Sequence, residues 1–217
     1  LEERVLSKKE FAEAASKDFV LVRLDFPRKK HVQSEDLQKK NLAAVAEYEV
    51  QSYPTVILTD SKGRPYASTG WKDGLTVESF MNILAELQEE RRQRDVHLAN
   101  AEKAEGSAKV SHLVKALAGH SPGIILKFYE PEFSQICKLD PENAGGLKNV
   151  LFYQQSLAMR AELDALAEKD DWASALKVLD EFGKTHAKTI QQKQQIEFFK
   201  INGLLQLRRV DEVMPFL

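Results

Sequence analysis

Cysteine is almost missing from these 217 residues: Cys137 stands alone. The chain therefore cannot close an internal disulfide or build a cysteine-based metal site. Long apolar runs are also missing. Runs such as Phe19 to Val22 and Gly123 to Leu126 fall far short of the about 20 residues that a helix needs to cross a bilayer. Leu1 to Glu10 shows neither the basic start nor the apolar stretch of a secretory leader. Neither sign of charge is in excess: 31 Lys and Arg against 33 Asp and Glu leave a formal net charge of −2. That balance excludes a global pull toward nucleic acid or anionic lipid. The five histidines, His31, His97, His112, His120 and His186, do not stand at metal-ligand spacing from another His, Asp or Glu. His112 and His120 could share a helix face only if Gly119 did not break it. No metal and no cofactor are expected.

What is present is an ordered alternation of helix and strand signals. Leu1 to Ala15 reads as helix, with Ser7 and Glu10 spaced as a capping box that starts a second helix. Phe19 to Phe26 is β-rich and reads as a mostly buried strand ended by Pro27. Arg28 to Ser34 is a basic, polar loop, and Glu35 to Tyr48 has helical spacing. Thr55 to Thr59 and Arg64 to Ser68 are two strands joined by the turn Asp60-Ser-Lys-Gly63, a hairpin. Gly70 and Gly74 bracket a loop around Trp71, and Thr76 to Lys103 is one long helix whose charged stretch Gln88 to Asp95 reads as solvated.

Beyond this point no strand-turn-strand pattern recurs. Two helices broken at Gly119 to Gly123 lead to the stop-and-start signal Asp140-Pro-Glu-Asn143. Leu147 to Glu168, Trp172 to Lys184 and Lys188 to Leu207 are three further helices, the second capped by Asp171. The pattern predicts an α/β part over residues 1–104 and an all-helical part of stacked antiparallel pairs over 105–217.

The first part resembles the thioredoxin superfamily. The resemblance is carried by Val20 to Asp25, the helix end Ala46-Glu-Tyr-Glu-Val50, the Tyr53-Pro54-Thr55 triplet, the hairpin with Asp60-Ser-Lys-Gly63, and Gly70 ahead of the last helix. The second part is similar to tetratricopeptide-type hairpins around Leu139-Asp-Pro-Glu-Asn143 and Ala175 to Phe182, with a less regular period. The fold implied is a partial thioredoxin-like sheet with flanking helices, followed by a helical-hairpin domain.

In that family a strand and a helix opened by Cys-x-x-Cys come before a strand like Val20 to Asp25. Leu1 to Leu6 resembles the tail of that helix, so the chain is expected to start just past the cysteine pair. A turn such as Ser7-Lys-Lys-Glu-Phe11 is typical of exported bacterial relatives, which implies a periplasmic or other exported setting. The family's central strand would lie between Val20–Asp25 and Thr55–Thr59. Its place would be filled by preceding residues, by a second chain, or by direct antiparallel pairing of those two segments.

The resemblance also marks the site. Ser52, Tyr53, Pro54, Thr55 and Gly70 are the expected substrate-binding residues. The Tyr53–Pro54 bond is expected to be cis, exposing backbone that pairs with an extended peptide, and Gly70 faces Pro54 across the groove. As structural roles, Pro54 would merely start an edge strand, Gly70 would be a turn glycine, and Trp71 would pack in the core. Cys137 lies in a helical apolar pattern and behaves as a small apolar residue, so no catalytic residue is assigned. The runs Arg91-Arg92-x-Arg94 and Arg28-Lys29-Lys30 are short, flanked by acids and read as solvated.

The function implied is thiol–disulfide exchange of the disulfide reductase or isomerase type, inactive in this chain because the cysteine pair is absent. The alternative is a non-catalytic peptide- or protein-binding scaffold. Either takes a protein or peptide partner and neither requires nucleic acid or a membrane span. Both are compatible with a homodimer made through the helical part or by strand exchange.

Overall fold

The computed structural model describes residues 1–27, 33–141 and 146–213. The chain forms two compact units, Leu1–Gly145 and Gly146–Leu217.

The first unit starts with a π-helical stretch, Glu2–Leu6, and α1, Lys9–Ala15. The expected capping box is not made. Lys8 is the N-cap of α1, and the Ser7 hydroxyl instead donates back to the Glu2 carbonyl. Helix α2, Glu35–Glu47, is capped by the Ser34 side chain. The hairpin follows as β1, Thr55–Thr59, and β2, Pro65–Gly70, antiparallel with Thr55 opposite Gly70 and a bulge between Leu58 and Thr59. Its turn closes because Asp60 Oδ1 accepts from the backbone N–H groups of Lys62 and Arg64, while Gly63 supplies the positive φ of 78°. Thr76 and Ser79 form a reciprocal cap for α3, Val77–Lys103. Leu58 and Tyr66 from the hairpin pack with Val5, Phe11, Phe80 and Leu84 into one apolar core.

Three helices complete this unit: α4, Gly106–Leu117, α5, Pro122–Phe128, and α6, Glu130–Leu139. Gly119, at φ 82°, breaks α4 from α5 as expected, and Tyr129 adds a further break that divides α5 from α6. The sequence places a domain boundary near residue 105, but the compact units divide at Gly145/Gly146. The physical reason is that α4 packs along α3, α6 packs on α4, and Tyr129 bonds into the hairpin.

The strand expected over Phe19–Phe26 is not formed. The segment has no regular secondary structure, Val20 is 92% and Val22 79% exposed, and the sheet among the described residues has two strands only. A strand needs a neighbouring ladder in register for its N–H and C=O groups. Direct pairing with Thr55–Thr59 is not made, and the segment's backbone carries no sheet ladder, its Phe19 N–H going to the Ala15 carbonyl and its Asp25 carbonyl to Asn41 and Gln33. Most of the basic loop at Arg28–Ser34, with His31, lies outside the described residues, as do Glu142 and Asn143 of the expected helix-start signal.

The second unit holds α7, Lys148–Ala167, α8, Trp172–His186, and α9, Ile190–Gln206, with neighbours in sequence packed against each other. Asp171 caps α8 as expected, and Thr189 with Gln192 forms a capping box for α9. Phe152, Met159, Leu179, Phe182 and Ile196 make its core.

Candidate functional site

The segment between α2 and β1 is an exposed loop, Gln51–Pro54, held at both ends. Four of the five expected site residues, Ser52 to Thr55, lie on it or at its exit. The Thr55 hydroxyl donates to the Ser52 carbonyl at 2.6 Å and closes the turn, and the Tyr53–Pro54 peptide bond is cis. The Tyr53 ring is 60% exposed and lies 5.1 Å, centre to centre, from Phe26. Phe26 is held there by its neighbour: the Asp25 carbonyl accepts from the amides of Asn41 and Gln33, each at 3.0 Å, and Asn41 is buried on α2. An aromatic pair therefore stands at an open loop, a surface suited to an extended peptide with apolar side chains.

Gly70 sits directly against this loop. It is the register partner of Thr55, and a Cβ at position 70 would come within 2.9 Å of the Pro54 carbonyl oxygen, too close for any side chain. Trp71, half-buried, packs against the core and stacks under the Arg4 guanidinium at 5.8 Å.

Behind the hairpin lies a buried polar network that the sequence reading missed. Arg94, 6% exposed, donates to Asp60 Oδ2 at 3.2 Å, to Asp95 Oδ1 at 2.6 Å and to the Tyr129 hydroxyl at 2.7 Å. Tyr129 in turn donates to the Pro65 carbonyl at 2.8 Å. Arg64 joins Asp60 to Glu132 at 3.0 and 3.1 Å. Burial pushes the Asp60 carboxyl upward, but the hydrogen bonds from the Arg64 backbone and side chain and the Lys62 backbone outweigh it and hold the group below its ordinary value. Burial lowers Arg94, and its bonds to Asp95 and Tyr129 raise it further than burial lowers it. A cleft of about 460 Å³ opens beside the network, yet its lysines and arginines face Asp60, Asp95, Glu102 and Glu132, so it is charge-balanced.

The signal for Arg94 was available. Phe80, Leu84, Leu87, Arg91, Arg94, Leu98 and Ala101 recur at helical spacing on α3, so Arg94 continues the inward stripe although its neighbours are charged.

Cys137 is half-buried on α6. Burial raises its thiol pKa, with Asp140 adding to the rise, which is the opposite of what a nucleophilic thiolate requires. His112 pairs with His97, Nδ1 to Nδ1 at 3.2 Å, and His120 Nε2 lies 3.0 Å from the Pro65 carbonyl. Among the described residues no group of three His, Cys, Asp or Glu side chains could hold a metal ion, and no helix is long and apolar enough to cross a membrane.

A hairpin entered through an aromatic-Pro-Thr loop, with a glycine against the proline and a long helix after it, is the arrangement that the thioredoxin-like resemblance implies. Residues 1–86 match the family model of a thioredoxin-like domain. Over 74 residues the chain is 31% identical to the disulfide bond reductase DsbH of Chlamydia pneumoniae, which covers 34% of this chain and 44% of that protein. The chain thus spans less than half the length of this curated relative. No solved structure matches the chain.

Proposed function

We propose that this chain supplies the substrate-docking face of a thiol–disulfide exchange protein of the disulfide reductase type, and that Ser52, Tyr53, Pro54, Thr55 and Gly70 form that face. The observation that carries the reading is the exposed Tyr53–Pro54 loop with Gly70 pressed against it, inside a region similar to a disulfide bond reductase. Exchange needs a thiolate to attack a substrate disulfide and a second thiol to resolve the mixed disulfide. With Cys137 as its one cysteine, the chain by itself docks the substrate polypeptide and does not turn it over. A binding scaffold with no redox step is the second reading, favoured by the raised pKa of Cys137.

An exported, oxidising setting accords with exchange on folding proteins. The helices of Gly146–Leu217 would hold partners or a second copy of the chain, and light scattering on the purified protein measures the latter.

The test is fluorescence anisotropy with reduced, alkylated insulin B chain as the probe. Binding weakened by Tyr53→Ala supports the docking face. No binding, or binding indifferent to Tyr53→Ala, overturns it. Reduction of intact insulin by this chain, abolished in Cys137→Ala, would overturn the inactivity.

A further inference from the structure

We infer that α5 and the residue that caps it clamp the entry to the Tyr53–Pro54 loop, with Glu49 as a positioning residue for docking. The inference rests on the reading of that loop as the docking face.

The entry to the exposed loop and the turn end of the hairpin that follows it are held by the same short stretch, His120 to Tyr129. On the entry side, the Tyr48 ring stacks on Phe128 at 5.2 Å with the planes 21° apart, and its hydroxyl donates to the Gly63 carbonyl at 3.1 Å. Lys127 lies 3.8 Å from Glu47. Glu49 is held at φ 52°, a left-handed conformation that a glutamate keeps only when its surroundings fix it. What fixes it is the Ser121 hydroxyl, which donates to its carboxylate. That carboxylate occupies the space a side chain at Gly123 would fill, so any larger residue there must expel it. At the other end of the hairpin, by its turn, where Pro65 pairs with Thr59, the Pro65 carbonyl receives the Tyr129 hydroxyl at 2.8 Å and faces His120 Nε2 at 3.0 Å.

The loop therefore cannot shift against the hairpin without breaking contacts to residues 120–129, all of which lie beyond the matched 1–86 region. The helical extension is part of how the loop is presented. It has two independent grips on the loop's entry, through a stacked ring and a carboxylate seated over a glycine.

The test uses the full chain with Glu49→Ala, Gly123→Ala, the double variant, Glu49→Gln and Tyr129→Phe. Two readouts are taken: anisotropy with the alkylated insulin B chain, and amide hydrogen exchange over residues 49–56. Glu49→Ala and Gly123→Ala should each weaken binding by roughly threefold to tenfold, the range in which mutations away from a ligand act on it. The double variant should be no weaker than either single one, because both remove the same contact. Glu49→Gln keeps an acceptor for Ser121 and should bind like the unaltered chain, a rescue that a general loss of stability would not give. Exchange over 49–56 should quicken in Glu49→Ala and stay unchanged in Tyr129→Phe, which frees only the turn end of the hairpin.

If Tyr53→Ala weakens binding while Glu49→Ala and Gly123→Ala do not, the clamp is wrong and the docking face stands. If Tyr53→Ala has no effect, the docking face fails and exchange alone judges the clamp. Unchanged exchange in Glu49→Ala overturns it, and faster exchange upholds it as a device that holds the loop.

Discussion

The hairpin Thr55–Gly70 and the segment Phe19–Phe26 are both rich in β-branched and aromatic residues, and they live in opposite surroundings. The hairpin is laddered to itself, seated on Phe80 and Leu84 through Leu58 and Tyr66, and tied to α3 and α6 through Asp60 and Pro65. The segment has no regular secondary structure, with Val20, Leu21, Val22 and Leu24 exposed and no ladder beside it. The difference teaches that β-propensity measures fitness for a half-buried pleated surface. Where no neighbouring strand offers that surface, the same residues remain open to water.

The sharpest way to break the contrast is to remove what the hairpin rests on. Phe80→Ala deletes a fully buried ring and should destabilise the first unit by about 3–5 kcal/mol. Urea unfolding followed through Trp71 fluorescence, in a Trp172→Phe background, measures it.

Next in size is the polar anchor. Asp60→Ala strips buried Arg94 and half-buried Arg64 of a shared carboxylate and should cost about 3 kcal/mol in the same assay. The effect has a pH signature. The Asp60 carboxyl is held below its ordinary value, so the stability it contributes is complete above that value and lost as pH falls through the lower folded one. Acid unfolding should therefore lose a component below about pH 4 in Asp60→Ala relative to the unaltered chain.

Tyr129→Phe removes one hydroxyl that donates to Pro65 and accepts from Arg94, an expected loss of about 1 kcal/mol in the urea midpoint. At the small end, Val20→Thr with Val22→Thr should change stability by less than about 0.5 kcal/mol, as substitutions on an uncovered surface do. A larger loss would mean that the segment is covered in solution, and would dissolve the contrast.

Local chemistry was the most legible part of the fold. The Asp60-Ser-Lys-Gly63 turn, the Thr76 start of α3, the Gly119 break and the Asp171 cap each follow from a residue acting on its own neighbours. The closeness of Gly70 to the Tyr53-Pro54-Thr55 triplet, the residues proposed for docking, was legible as well, because the triplet and Gly70 keep their order along the chain. The failures are non-local. Phe19–Phe26 looks like a strand until one asks what it pairs with, and Ser7 looks like a cap until its hydroxyl turns to Glu2. Arg94 was read as solvated from the charges beside it, although what buries it arrives from Tyr129, 35 residues later. Glu49 carries no pattern at all; its partners lie at 121 and 123.

Helix α3 runs unbroken from Val77 to Lys103, and the thioredoxin-like match ends inside it at residue 86. At 1.5 Å per residue its 27 residues make a rod about 40 Å long. Its first turns cover the hairpin core and its last turns carry α4. In mechanical terms the end of the family region is the middle of a beam. Evolutionary exchange of the helices after it for others would have to preserve the beam's inward stripe through Arg94, or the thioredoxin-like part would lose a buried ionic strut along with its neighbour.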